Sequence, residues 1–310
     1  FLVVTDFLPG ALTLEGSSVR DEVHLVGAIR LLGKLHAAGL VHDDLHFGNF
    51  IEQAGALFLI DGDGVRLARS DDDKRENLAL FLSQLAPAQL ADQPLLPDAY
   101  GDPVDPALLA QLVQRWRSER LRDYLRKALR NCTKFQVDRG TRYFSVVLRE
   151  KAAQLLPLLA DADRLMAAGQ MLKNGATCTV ASVDAGTQLV IKRYNLKHWR
   201  HALSRAWRPS RAWHSWLAGH RLAFYGIATP QPLAMLEERV GPLRGRAFLV
   251  TAHCAGPDLL SVLDPDSEPS LTMQVAIRQL FSTLCELRIT HGDLKATNLL
   301  WLDEQIVLIV

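Results

Sequence analysis

The sequence predicts an α+β chain in which one structural unit recurs. Three observations carry this expectation. An ordered series of apolar strand, small-residue turn, amphipathic helix, polar octet and closing strand occurs twice, once from Phe1 and once from Phe248. Between the two, residues from about 66 to 160 read mostly as helix. From about Met171 the pattern changes to short β-rich runs punctuated by turn residues. The expected division is 1–160, 161–247 and 248–310. These would be the helical lobe of a first copy, the β-rich lobe of a second, and the beginning of that second copy's helical lobe.

Each element has a local reason. "FLVVTDFLPGALTL" at Phe1 and "FLVTAHCAGPDLLS" at Phe248 are apolar runs followed by small residues. Leu25, Ile29, Leu32 and Leu35 then fall on one helical face, and Gly39 suits the left-handed position that ends a helix. The octet "HDDLHFGN" follows, then the strand "LFLID" at Leu57. "RSDDDKRE" at Arg69 reads as a solvated helix start whose aspartates complement the helix dipole. The helix "KRENLALFLSQL" comes next, and the stretch Gln93 to Asp105 reads as a surface connection. "DPALLAQLVQRWRSERLRDYLRKALR" and "VVLREKAAQLLPLLADADRLMAAG" are read as further helices. Asn174-Gly175 and Asp184-Ala185-Gly186 then mark hairpins around "TQLVIKRYN". After another helical stretch and the breakers Gly226, Pro230 and Pro232, strands lead to Phe248. In the second series Val275, Ile277, Leu280, Leu284 and Leu287 form the helix face. The octet is "HGDLKATN" and the closing strand "IVLIV" at Ile306. Because the chain opens and closes inside strand-like runs, it is expected to be a fragment cut at both ends.

The bulk numbers exclude several classes. Among 310 residues, 48% are apolar and 22% charged, with a net charge of +1, which is an ordinary globular balance. No apolar run reaches the roughly 18–20 residues of a membrane span, and no leader pattern is present. Cys132, Cys178, Cys254 and Cys285 are far apart, which argues against a zinc site or a disulfide framework.

The octets carry the chemistry. H-x-D-L-x-x-x-N, with an aspartate at the end of the next strand, supplies what phosphoryl transfer requires. One aspartate can orient a hydroxyl and take its proton, and an asparagine with a second aspartate can hold Mg²⁺. In the first copy these are Asp44, Asn49 and Asp61; in the second, Asp293 and Asn298. Aligning "IVLIV" with "LFLID" puts the second copy's metal aspartate directly after Val310. His42 and His291 are expected to hold backbone, and Asp43 to be solvated or a local cap. Asp63 either assists the metal or shapes its turn.

These loops and their surroundings resemble the protein-kinase-like fold, in the branch that includes bacterial lipopolysaccharide kinases. "HDDLHFGN" resembles the version used on sugars and small molecules, and "HGDLKATN" the lysine-bearing version nearer to protein kinases. "LVIKRYN" resembles the strand whose lysine, here Lys192, meets the α- and β-phosphates of ATP; the turn at Gly175 would cover them. Lys295 would touch the γ-phosphate, and His46 stands in the same register. "SWLAGHRLAFYGIATPQPLA" resembles the helix that usually lends that lysine a glutamate, yet Arg193 to Leu236 contains no Asp or Glu.

The resemblance implies ATP and Mg²⁺ as cofactors and a lipopolysaccharide core sugar, heptose or Kdo, as acceptor. It also implies work at the cytoplasmic face of a Gram-negative inner membrane. Neither copy holds a full set of groups, so the fragment alone is expected to be inactive. A nucleotide-binding scaffold, and a kinase for proteins or small molecules, remain as alternatives. Lys192 to Leu236 holds eight Lys/Arg, four His and the tryptophans Trp199, Trp207, Trp213 and Trp216. This segment reads either as a surface for anionic lipid-linked sugar or membrane, or as a basic helix packing its aromatics inward. No nucleic-acid motif accompanies it, so no nucleic-acid partner is expected.

Overall fold

The computed structural model describes residues 8–15, 22–87, 90, 96–195, 208–240 and 243–310, and the fold is α+β. The chain forms two compact units, Phe1–Arg120 and Leu121–Val310. The opening run at Phe1 and the tryptophans Trp199 and Trp207 lie outside the described residues.

In the first unit, β1 (Leu12–Thr13), β3 (Phe50–Gln53) and β4 (Ala56–Leu59) form an antiparallel sheet in the order β1-β3-β4. A separate ladder joins β2 (Leu40–His42) to β5 (Val65–Leu67). Helix α1 (Glu22–Ala37) buries Leu25, Ala28, Ile29 and Leu32, the face expected from their spacing. Gly39 follows at φ +75°. Helix α2 (Asp71–Leu82) is capped by Ser70, whose hydroxyl accepts the Asp73 amide at 3.2 Å. Phe81 of α2 packs against Phe47 and Phe50, with ring centroids 4.9 and 5.1 Å apart, and this ties the helix to the first octet.

The stretch read as a surface connection contains helix α3 (Leu96–Tyr100). Tyr100 is buried, its hydroxyl is 2.6 Å from His36 Nδ1, and its carbonyl lies where a side chain at Gly33 would need to be. The proline-rich composition concealed this because a one-turn helix leaves no periodicity to read. Helix α4 (Pro106–Lys127) follows.

The second unit is built on one antiparallel sheet of seven strands, in the order β6-β7-β11-β12-β10-β9-β8. Their ranges are β6 (Phe135–Arg139), β7 (Tyr143–Leu148), β8 (Gln170–Asn174), β9 (Cys178–Asp184), β10 (Gln188–Tyr194), β11 (Pro232–Val240) and β12 (Leu243–Ala252). Residues 143–148 correct the sequence reading, which placed "VVL" at the start of a helix. Phe144, Ser145, Val146, Val147 and Leu148 are all buried, and a strand covered on both faces has no alternation to distinguish it from a buried helix. The helical part of that stretch is α5 (Ala152–Ala160) and α6 (Ala162–Ala168). Residues 121–160, expected in a lobe of the first copy, therefore belong to the second compact unit.

Both expected hairpins are present. Asn174 pairs with Thr179 across the turn at Gly175, and Gln188 pairs with Asp184 across Gly186 at φ +81°. Helix α7 (Arg211–Phe224) is capped by Ser210 and ends where Ile227 N donates to Leu222 O at 3.0 Å around Gly226 (φ +74°). Helices α8 (Leu259–Val262) and α9 (Leu271–Glu286) lead to the second octet and the hairpin β13 (Leu299–Leu302) to β14 (Gln305–Leu308). On α9 Leu280 and Leu284 are buried as expected, whereas Val275 is exposed.

Candidate functional site

In the first unit the octet lies between β2 and β3, both anchored in the fold. His42 N donates to Asn77 Oδ1 at 3.2 Å, and Asn77 Nδ2 donates back to His42 O at 2.8 Å. The His42 ring is buried, and its Nε2 lies 3.3 Å from the carbonyl of Ile60. That is a backbone-holding position, as expected for this histidine. Asn49 is also buried, and its Nδ2 donates to the carbonyl of Asp44 at 2.8 Å, which closes the loop on itself. The Asp44 carboxylate is left exposed, 3.7 Å from His46 Nε2.

Asp61 follows β4 with φ +67°, a backbone conformation that an aspartate adopts at a cost. Its hydrogen bond with Asp63 raises its pKa, and the charge of Asp44 adds to the shift. The charge of Asp44 thus reaches Asp61, and the loop's Asn49 carbonyl accepts from the residue before Asp61. Oxygen donors of this kind are the ones a hard divalent cation takes. Among the described residues, no three His, Cys, Asp or Glu side chains cluster tightly enough to form a ready-made metal site.

The second octet repeats this geometry. Asn298 Nδ2 donates to Asp293 O at 2.7 Å, and His291 Nε2 lies 3.0 Å from the carbonyl of Ile309. Asn298 O accepts from Ile309 N at 2.9 Å, as Asn49 O accepts from Ile60 N at 2.8 Å. The ladders agree too: Phe50 faces Leu59, and Leu299 faces Leu308. Left-handed residues fall at the same three places, Gly39 and Arg288, Ala54 and Asp303, Gly55 and Glu304, each pair 249 residues apart. This register corrects the expected alignment. Val310, not the residue after it, occupies the place of Asp61.

The side chains around the second loop differ in charge. Lys295 Nζ lies 2.9 Å from the Asp293 carboxylate, and Asn298 Nδ2 donates to the same group at 3.2 Å. Lys295, then Asn298, hold the Asp293 pKa below its ordinary value. Lys192 on β10 faces this loop. Its ammonium donates to the Val310 carbonyl at 2.8 Å and feels the charge of Asp293, while burial lowers its pKa. Lys192, Asp293, Lys295 and Asn298 therefore converge. Gly175 instead serves the β8–β9 turn: its N–H donates to Cys178 O at 3.0 Å and its carbonyl accepts from Asn195 at 3.1 Å.

Several supporting residues were not legible in advance. Asp43, expected to be solvated or a cap, accepts from Arg66 Nε at 2.8 Å. Arg66 also donates to Asp73 at 2.6 and 2.9 Å, so one aspartate of the presumed solvated run is an ion-pair partner whose pKa Arg66 holds down. Gln84 brackets the first octet, accepting from Phe47 N at 3.2 Å and donating to Leu45 O at 3.1 Å. An asparagine at position 77 on a buried helix face was the available signal for such a role. In the basic segment, Trp216 is fully buried with Nε1 donating to Ala128 O at 2.9 Å, and Trp213 packs on Phe144. Both tryptophans pack inward rather than facing an interface.

Residues 169–309 match the model of the lipopolysaccharide kinase (Kdo/WaaP) family. The matched stretch holds Lys192, Asp293, Lys295 and Asn298, and it ends at the residue before Val310. No curated protein matches the chain. No described helix is long and apolar enough to cross a membrane.

Proposed function

We propose that the chain is part of a tandem kinase-like protein that transfers the γ-phosphate of ATP to a hydroxyl of a lipopolysaccharide core sugar. In the second unit Asp293 would orient the sugar hydroxyl and accept its proton. Lys295 would neutralise the incoming γ-phosphate, and Lys192 would bind the other phosphates. The observation that carries this reading is the convergence of Lys192 on the Asp293 loop within the stretch that matches the lipopolysaccharide kinase family. In the first unit Asp44 would be the base, and Asn49 and Asp61 would hold Mg²⁺, which supplies charge neutralisation for the phosphates. The second loop offers Asn298 without an aligned carboxylate. By the same reading the acceptor is an anionic lipid-linked sugar, met at the cytoplasmic face of a Gram-negative inner membrane.

A radiolabelled phosphate-transfer assay of the intact tandem protein over core oligosaccharide, generic protein and soluble alcohols tests the proposal. Asp293→Ala or Asp44→Ala should lower sugar phosphorylation by roughly 10²–10⁴-fold. Labelling of protein alone would reject the sugar, and indifference to both substitutions would reject the enzyme. A supporting, non-catalytic second unit is the rival reading, favoured by the absence of any acid on α7.

A further inference from the structure

Residues 193–236 contain no carboxylate, yet Lys192 needs something to fix its reach. The strand supplies it. Lys192 and Tyr194 alternate with Arg193 along β10, so both side chains leave the same face of the sheet. The Lys192 ammonium stands over the Tyr194 ring, 5.5 Å from its centroid, a distance at which the ring face attracts a cation. The Tyr194 hydroxyl donates to Ser215 Oγ at 2.8 Å, and Ser215 lies on α7. Helix α7 is itself fixed: Ser210 N donates to the fully buried Glu237 carboxylate at 3.3 Å, and Trp216 is locked in the core. The Arg211 guanidinium also lies over the Tyr194 ring, at 5.3 Å.

We infer that Tyr194 and Ser215 are the positioning pair for Lys192, coupling strand to helix in the place where a helix carboxylate is expected. This rests on the phosphate-binding role proposed for Lys192. The chemistry differs in kind from an ion pair. A neutral ring orients the ammonium without cancelling its charge, so the whole charge remains for a phosphate. Burial raises the Tyr194 hydroxyl to about 12, which keeps it a protonated donor to Ser215.

The test is the titration of Lys192 in the full chain, read by NMR of reductively ¹³C-methylated lysines and assigned with Lys192→Met. Besides the ring, Lys192 feels Cys178, Arg211, Lys173 and Asp293, and none of these is altered in the variants. Tyr194→Leu should lower the Lys192 pKa and weaken Mg–ATP binding roughly 3- to 30-fold. Tyr194→Phe, which keeps the ring, should leave the titration in place. Ser215→Glu should raise the Lys192 pKa by a unit or more and restore binding to Tyr194→Leu. If Tyr194→Leu does not fold, Tyr194→Phe decides alone: it keeps the ring but loses the bond to Ser215, should weaken Mg–ATP binding roughly 2- to 10-fold, and overturns the pairing if binding equals that of the parent chain. A Lys192 titration that is the same in folded Tyr194→Leu and in Ser215→Glu as in the parent chain overturns the pairing. Mg–ATP binding untouched by Lys192→Met would instead overturn the phosphotransfer reading of this unit, and the titration would still decide on Tyr194.

Discussion

Mild acid should loosen the second unit through one residue, His220 on α7. Its ring is 3% exposed and packs edge-on against Trp216, Phe135 and Tyr124, with centroids 4.2, 5.1 and 5.9 Å away. Tyr124 Oη accepts from Lys134 Nζ and lies 3.1 Å from His220 Nδ1; Nε2 is buried with no hydrogen-bond partner among the described residues. Burial, aided by the Lys134 charge, lowers the His220 pKa to about 3 from 6.5. The folded state therefore resists protonation, and the unfolded chain takes up the proton first. The stabilisation is fully present above pH 6.5 and declines as the pH falls from there toward 3. Each unit of pH costs about 1.4 kcal/mol over that window, so at pH 5 the loss is about 2 kcal/mol.

Guanidinium denaturation at pH 7 and pH 5, followed by tryptophan fluorescence, measures this loss. His220→Leu cannot titrate and should lose about 2 kcal/mol less than the parent on acidification. His36, whose pKa burial also lowers, is present in both proteins and cancels in the comparison. Parallel pH dependences in the two proteins would refute the reasoning.

Four further outcomes rest on the packing. Glu237→Ala strands Arg239 and Arg244, which lie 3.0 and 3.3 Å from its carboxylate, and should cost about 3–5 kcal/mol in denaturant titration of the second unit. Phe135→Ala removes a fully buried ring of β6 and should cost about 3–5 kcal/mol; a chain beginning at residue 169 should fail to fold, because β6 and β7 complete the same sheet. Arg288→Gly relieves a left-handed arginine at the place Gly39 fills in the first unit, and should raise the second unit's stability by roughly 0.5–1 kcal/mol in the same titration.

What the sequence disclosed depended on whether a pattern repeats locally. The faces of α1 and α2, the two hairpins and the strand of Lys192 all announce themselves through spacing or turn residues. The octets were legible because their polar residues interrupt apolar runs. Buried strand β7 was not, since its residues are covered on both sides and carry no period. Arg66 illustrates a second kind of loss. It joins Asp43 to Asp73 across thirty residues of chain, and no local feature of "DGVRL" says which acids it will meet. The Tyr194–Ser215 bond is hidden for the same reason, because a serine on a helix is ordinarily read as a neutral surface choice.

The two octets separate frame from charge. Residues that shape the backbone correspond: each asparagine amide grips the carbonyl five residues earlier, each histidine lies at the carbonyl just past the closing strand, and each hairpin turns through two left-handed residues. Residues that set the electrostatics do not correspond. Asp43, tied to Arg66, stands against Gly292; His46, 3.7 Å from Asp44, against Lys295, 2.9 Å from Asp293; and Asp61 against Val310. The second loop holds its aspartate beside a lysine and lacks an aligned carboxylate. The first places Asp63 in a hydrogen bond with Asp61 and ties Asp43 to Arg66. One backbone frame thus presents two charge patterns, a lysine-paired aspartate in the second loop and, in the first, an arginine-tied aspartate together with the hydrogen-bonded carboxyls of Asp61 and Asp63.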